Sequence, residues 1–145
     1  MIALDTNILV YAHRRDSEWH EPARARIGEL AAGTAPWALP WPCVHEFLAI
    51  VTHPRIYEPP TPVDRALDQV AAWIESPAVV LLAEGPEYWT LATALIRDGR
   101  AAGPRVHDAR VAALCLVHGI RELWTADRDF ARFTALAVRN PLVPS

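Results

Sequence analysis

Strand-like and helix-like patterns alternate along this chain, and that alternation predicts an α/β fold with a mainly parallel central sheet flanked by helices on both faces. Two further observations agree. About half of the 145 residues are apolar, enough to fill a real core, and the length suits one domain spanning residues 1–145. The first apolar run, Met1-Ile2-Ala3-Leu4, stops at the carboxylate of Asp5 with Thr6 and Asn7 behind it. In an open α/β sheet, strand ends are where ligands bind.

The elements follow in order. Residues 1–4 are a strand and 7–13 a short helix. From 17 to 32, Trp19, Ala23, Ile27, Leu30 and Ala31 recur at helical spacing, and Gly33 stops the helix. Residues 37–39 form a short strand bounded by Pro36 and Pro40. Pro42 suits the first turn of a helix that runs through Glu46 and Phe47 to Val51 and ends before His53-Pro54. Residues 58–62, with Pro59, Pro60 and Pro62, are a stiff connector. The helix after it, 63–74, groups Val63, Leu67, Val70, Ala71 and Ile74 on one face. A strand at 79–82, a helix at 86–97 and a Gly- and Arg-bearing loop at 99–105 come next. The remainder reads as a helix over 107–118 capped by Gly119, a strand at 122–124, a helical turn near 129–133 and a last strand at 135–138.

Composition excludes several classes. The opening run is too short for a signal peptide or a membrane span, which predicts a cytoplasmic protein without membrane contact. Cys43 and Cys115 lie far apart with no CxxC spacing, and buried free thiols are expected rather than a disulfide or zinc ligands. A net charge of −3 argues against a surface that grips nucleic acid by bulk electrostatics, so phosphate contacts would be local. All fourteen basic residues are arginine. Without lysine, neither a Walker-type phosphate loop nor the usual phosphoaspartyl chemistry can operate. The six tryptophans are assigned mainly to packing; Trp19, Trp73 and Trp124 fall on apolar faces or a strand end, while Trp41 and Trp89 are candidates for partner contact.

Four acids, Asp5, Glu46, Asp108 and Asp127, each sit beside an apolar run that can bring them to one sheet edge. Two like charges about 4 Å apart repel by on the order of 4 kcal/mol at an effective dielectric near 20. Converging carboxylates must therefore protonate or hold a cation, and a hard ion such as Mg2+ or Mn2+ suits oxygen donors. Each acid alone also has an ordinary structural reading: Asp5 as a strand-end turn residue, Asp108 as a helix N-cap, Asp127 in an Asx turn, Glu46 as an exposed helical acid.

The chain resembles the PIN-domain ribonucleases, and within them the VapC toxins of bacterial toxin–antitoxin pairs. The resemblance runs through Leu4-Asp5-Thr6-Asn7, Glu46-Phe47, His107-Asp108-Ala109 with Ala112-Ala113, Gly119, and Leu123-Trp124-Thr125-Ala126-Asp127-Arg128-Asp129-Phe130, and ends in Arg139-Asn140-Pro141-Leu142. It implies a PIN-like fold in which Asp5, Glu46, Asp108 and Asp127 are catalytic and hold Mg2+ or Mn2+. Thr125 would stand near the metal, Thr6 and Asn7 would orient Asp5 by hydrogen bonds, and Asp129 would act through water or at a helix N-terminus. The implied reaction is metal-assisted hydrolysis of RNA phosphodiesters, leaving a 5′ phosphate and a 3′ hydroxyl. A metal that supplies hydroxide makes His107 dispensable as a general base.

Arg14, Arg15, Arg100, Arg105, Arg110 and Arg128 are candidate RNA contacts by proximity in sequence, with a solvated surface role as the alternative for each. The implied partners are RNA, a cognate VapB-type antitoxin and a second copy in a homodimer. Two other readings remain at this stage: a catalytically silent PIN-like binding or autoregulatory module, and a metal-dependent phosphatase.

Overall fold

Short apolar runs become strands here because each is closed by a residue that starts a helix or a turn. Ile2–Leu4 forms β1, and Asp5 follows in extended geometry with its side chain capping helix α1, Thr6–His13. A computed structural model describes residues 1–144 and continues with α2 (His20–Ala32), β2 (Trp37–Pro40), α3 (Trp41–Val51), α4 (Val63–Ile74), β3 (Val79–Leu82), α5 (Tyr88–Asp98), α6 (Arg105–Val117), β4 (Glu122–Trp124), a 3₁₀ turn (Arg128–Arg132) and β5 (Ala137–Arg139).

The strands make one five-stranded sheet in the order β3-β2-β1-β4-β5, and every pairing is parallel. The central strands are apolar without alternation, as burial on both faces requires: Ala3, Leu4, Trp37, Ala38, Leu39 and Leu123 have no exposed surface. The chain runs outward from β1 through β2 to β3 and then returns past β1 to β4 and β5, and the right-handed rule for parallel crossovers puts the helices of these two arms on opposite faces. Helix α1 packs with α2 and α3, and α5 packs on α6. The order therefore reverses between β1 and β4, and their carboxyl ends form the switch-point crevice typical of open α/β sheets.

Helix α6 ends as the sequence requires. Gly119 adopts φ +75°, its N–H reaches Leu116 O at 3.1 Å, and the N–H of Ile120 reaches Cys115 O at 2.8 Å, the two bonds of a Schellman ending. Cys43 and Cys115 are free and buried, as expected. Trp37, Trp73 and Trp124 are buried and Trp19 packs against the core, whereas Trp41 and Trp89 are exposed. Among the described residues no helix is long and apolar enough to cross a membrane.

Three expectations are corrected. The buried face of α4 is Ala66, Val70 and Trp73, while Val63, Leu67 and Ile74 are exposed and Ala71 with them. Trp73 decides the rotation, because its ring packs edge-on against Phe47 at 5.0 Å between centroids and the helix turns to bury it. Helix α6 begins at Arg105 and not at His107, so Arg105 belongs to its first turn and Asp108 lies inside the helix rather than at its cap. The last strand starts at Ala137, because Leu136 is drawn into the core beneath Phe133.

The α4 correction has a direct check. Trp73→Ala should destabilise the protein by about 3–5 kcal/mol, and Leu67→Ala by less than about 0.5 kcal/mol, in urea unfolding. Comparable losses at the two positions would restore the face read from the sequence.

Candidate active site

The end of β1 is tied to the end of β4 by a buried hydrogen-bond network centred on Asp5. Its Oδ1 accepts the backbone N–H of Thr6 at 2.8 Å, and its Oδ2 accepts the Thr125 hydroxyl at 2.7 Å and the Asn7 amide at 3.3 Å. The Asn7 amide also donates to Thr125 Oγ1 at 3.1 Å, while Asn7 Oδ1 accepts the N–H of Ala126 at 3.1 Å. Thr125 Oγ1 in turn accepts the N–H of Asp127 at 3.0 Å. Asn7 and Thr125 thus orient Asp5 through their side chains; Thr6 does so through its backbone. Cys43, 3.7 Å from Asp5 Oδ1 through its Sγ, closes the buried side of the carboxylate. Nothing in the sequence around Cys43 signals that contact.

In front of this network is a cavity of about 210 Å3 whose lining includes Asp5, Glu46, Asp108 and Asp127, together with Asn7 and Arg110. Each acid arrives from a different element: Asp5 from the end of β1, Glu46 from α3, Asp108 from the first turn of α6, Asp127 from the turn after β4. Asp127 also caps the 3₁₀ turn by accepting the N–H of Asp129 at 2.9 Å, so the ordinary reading as a turn-forming acid holds alongside its place on the cavity wall. Glu46 is exposed. Among the described residues no three Asp, Glu, His or Cys side chains are arranged around one point as ready-made metal ligands. The acids share a wall without forming a cage, and a guanidinium accounts for part of the separation. Arg105 Nη1 stands 2.8 Å from Asp108 Oδ2, 3.3 Å from Asp127 Oδ2 and 2.6 Å from Asp129 Oδ2.

The donors suit a hard cation in one decisive respect. Asp108 Oδ2 is buried and accepts no hydrogen bond, and the charge it faces is that of Arg105 Nη1 at 2.8 Å, so this oxygen is held by a neighbouring positive charge alone, the kind of partner a hard metal ion is. Burial, more than any neighbour, raises the Asp108 carboxyl to about 6; Arg105 opposes the rise, and Asp127, Asp5 and Asp129 add to it. Asp5 is raised as well, first by burial, with the Thr125 and Thr6 hydrogen bonds opposing and Glu46 reinforcing.

The candidate arginines divide. Arg105 and Arg110 belong to α6, and Arg110 lines the cavity while engaged by Glu84, a partner the sequence did not reveal. Arg128 follows Asp127 and is exposed; Arg100 is exposed at φ +50° in the loop before α6. Arg14 and Arg15 are not brought to the acids. They lie past the far end of the eight-residue α1, on a separate groove of about 990 Å3 that also includes Arg24, Arg65 and Trp73. Arg14 is held there by Asp16 at 2.6 Å and lies over the Tyr57 ring at 4.1 Å. His107 is exposed on the cavity rim.

Residues 2–136 match the PIN domain family. The chain belongs to that family. Among its relatives, a VapC ribonuclease of Mycobacterium bovis is 37% identical over 142 residues, covering 98% of this chain and 96% of that protein. Ribonuclease VapC48 of Mycobacterium tuberculosis is 30% identical, covering 94% of each. The fold of this PIN domain is shared by solved structures of low identity. FitAcB from Neisseria gonorrhoeae superposes with a TM-score of 0.67 at 18% identity, covering 97% of this chain and 98% of that one. The sarcin-ricin loop cleaving toxin VapC20 of M. tuberculosis superposes with 0.66 at 17%, covering 90% and 93%.

The raised Asp108 makes stability depend on pH with a definite sign. The folded protein holds this proton more tightly than the unfolded chain, whose carboxyl titrates near 3.8, so the stability it contributes is present below about 3.8 and is lost as pH rises through about 6. In chelator, the melting temperature of Asp108→Asn should exceed that of the parent above pH 6 and the difference should shrink toward pH 4. A pH-independent difference would refute the assignment.

Proposed function

We propose that this chain is a divalent-metal-dependent endoribonuclease and the toxin of a VapBC-type toxin–antitoxin pair, with residues 1–145 acting as one PIN domain. The observation that carries the reading is the cavity at the sheet's switch point: Asp5, Glu46, Asp108 and Asp127 line it, and Asp108 Oδ2 lies buried there without a hydrogen bond. Membership of the PIN family and relatives named as VapC ribonucleases support the activity. The shared fold of the solved VapBC2 of Rickettsia felis and VapBC of Salmonella typhimurium supports a cognate antitoxin as partner.

In this proposal Asp5, Glu46, Asp108 and Asp127 hold Mg2+ or Mn2+. Bound there, such an ion would supply an activated water and would neutralise charge developing on the phosphate oxygens. The protein's share is positioning. Asn7 and Thr125 fix the Asp5 carboxylate in one rotamer, and the peptide N–H groups of Thr6, Ala126 and Asp127 rigidify the ends of β1 and β4 around it. Arg110, on the cavity wall, and Arg128, beside Asp127 in the chain, are proposed to meet an RNA backbone, with the exposed Arg100 as a further candidate. The antitoxin and a second copy of the chain are proposed as protein partners, and the exposed Trp41 and Trp89 are candidate contacts for either.

Asp5→Asn and Asp108→Asn test the function. RNA cleavage should fall by on the order of 100-fold or more while the far-UV circular dichroism stays native; in chelator the melting temperature of Asp108→Asn should be unchanged or higher, and that of Asp5→Asn lower, because an Asn amide cannot accept the hydrogen bonds that Thr6, Asn7 and Thr125 donate to both carboxylate oxygens. The parent enzyme should leave 5′-phosphate ends, read by ligation-dependent sequencing. Cleavage by Asp5→Asn at the parent rate would overturn the metal-site assignment, and 2′,3′-cyclic phosphate ends would overturn hydrolysis by an activated water.

A further inference from the structure

Arg105 makes an unusual set of contacts for a guanidinium. A single nitrogen, Nη1, faces Asp108 Oδ2, Asp127 Oδ2 and Asp129 Oδ2 at 2.8, 3.3 and 2.6 Å. That nitrogen carries two hydrogens. Both are used, by Asp127 and Asp129, and Asp108 Oδ2 receives the charge without a hydrogen bond. A guanidinium that serves one carboxylate normally presents two nitrogens side by side. Here the arrangement is that of a point charge placed among several acids.

The helix enforces it. Arg105 and Asp108 are three residues apart in the first turn of α6, on adjacent positions of one face. The preceding loop turns into the helix through Gly103 at φ +57°, a conformation costly for other residues, so the start of α6 and the reach of Arg105 are set by the backbone. Asp127 and Asp129 come from the opposite side, locked together because Asp127 caps the turn that begins beside Asp129.

We propose that Arg105 is a built-in counter-ion that competes with a divalent cation for the carboxylates of Asp108 and Asp127. This rests on the metal-site reading above. The same oxygens cannot face a guanidinium at under 3.5 Å and a divalent cation at coordination distance without bringing like charges together. Arg105 therefore keeps the acids compatible with the folded state and raises the concentration of divalent cation needed to load the site. Its role is distinct from that of an RNA contact, which was the reading from sequence.

The test is a titration of full-length protein with Mn2+ alone, followed by electron paramagnetic resonance of the free ion, on the parent, Arg105→Gln, Arg105→Lys and Asp5→Asn. Arg105→Gln should bind Mn2+ on the order of tenfold more tightly, melt lower than the parent in chelator, and gain more from Mn2+. Arg105→Lys, which keeps the charge, should stay close to the parent. Equal or weaker Mn2+ binding by Arg105→Gln, with Asp5→Asn abolishing binding, would overturn the competition and leave the metal site standing. Unchanged Mn2+ binding by Asp5→Asn would overturn both. Arg105→Lys behaving like Arg105→Gln would overturn the charge-based account in favour of shape.

Discussion

Mutual repulsion of carboxylates at one sheet edge is the constraint to which the rest of this structure answers. Asp5, Asp108 and Asp127 line one small cavity and Asp129 pairs with the Arg105 that also faces Asp108 and Asp127, a density of negative charge that a fold tolerates only with compensation. Three different devices provide it. Asp5 is satisfied by hydrogen bonds from Thr6, Asn7 and Thr125; Asp108 is pushed toward its protonated form; and Asp108, Asp127 and Asp129 share the charge of Arg105.

These devices connect the site to the fold. The hydrogen bonds that hold Asp5 also fasten the end of β1 to the turn after β4, at the place where the strand order reverses. The crevice thus has rigid walls on the sheet side and a wall on the other side made by the first turn of α6. Burial has opposite consequences on the two walls. Asp5 is buried and held by hydrogen bonds on both oxygens, whereas Asp108 has a buried oxygen that accepts no hydrogen bond and faces the charge of Arg105 alone. The first arrangement fixes a carboxylate in place; the second leaves an oxygen held only by a neighbouring positive charge.

The larger groove at the far end of α1 is built on different terms. Arg14, Arg15, Arg24 and Arg65 line it together with Asp16, Asp68 and Trp73, so cationic and anionic side chains are mixed on its walls. Arg14 illustrates how adjacency in sequence misleads. It follows Asp5 closely along the chain, yet one short helix, rising about 1.5 Å per residue, carries it away from the acids to pair with Asp16.

Much of this was written in the sequence. Apolar runs of three or four residues closed by Asp5, Pro40 or Thr125, with helical periodicity between them, determine a parallel α/β sheet because buried central strands need no alternation. Gly119 determines where α6 stops, since few other residues accept its positive φ. That Asp5 closes a strand, that Asp127 follows one and that Asn7 follows Asp5 was legible because these are local properties of the chain; the shared cavity of Asp5, Glu46, Asp108 and Asp127 required the fold. Tertiary structure alone decided the rest. The buried face of α4 was set by how Trp73 meets Phe47, a contact between distant segments that periodicity cannot rank against Leu67. The engagement of Arg110 by Glu84, the approach of Cys43 to Asp5 and the convergence of three carboxylates on one nitrogen of Arg105 join elements far apart along the chain. Only the i, i+3 spacing of Arg105 and Asp108 hinted at the last of these; an ion pair depends on distance in space, and that distance exists only once the sheet has brought β4 beside β1 and set α6 against its edge.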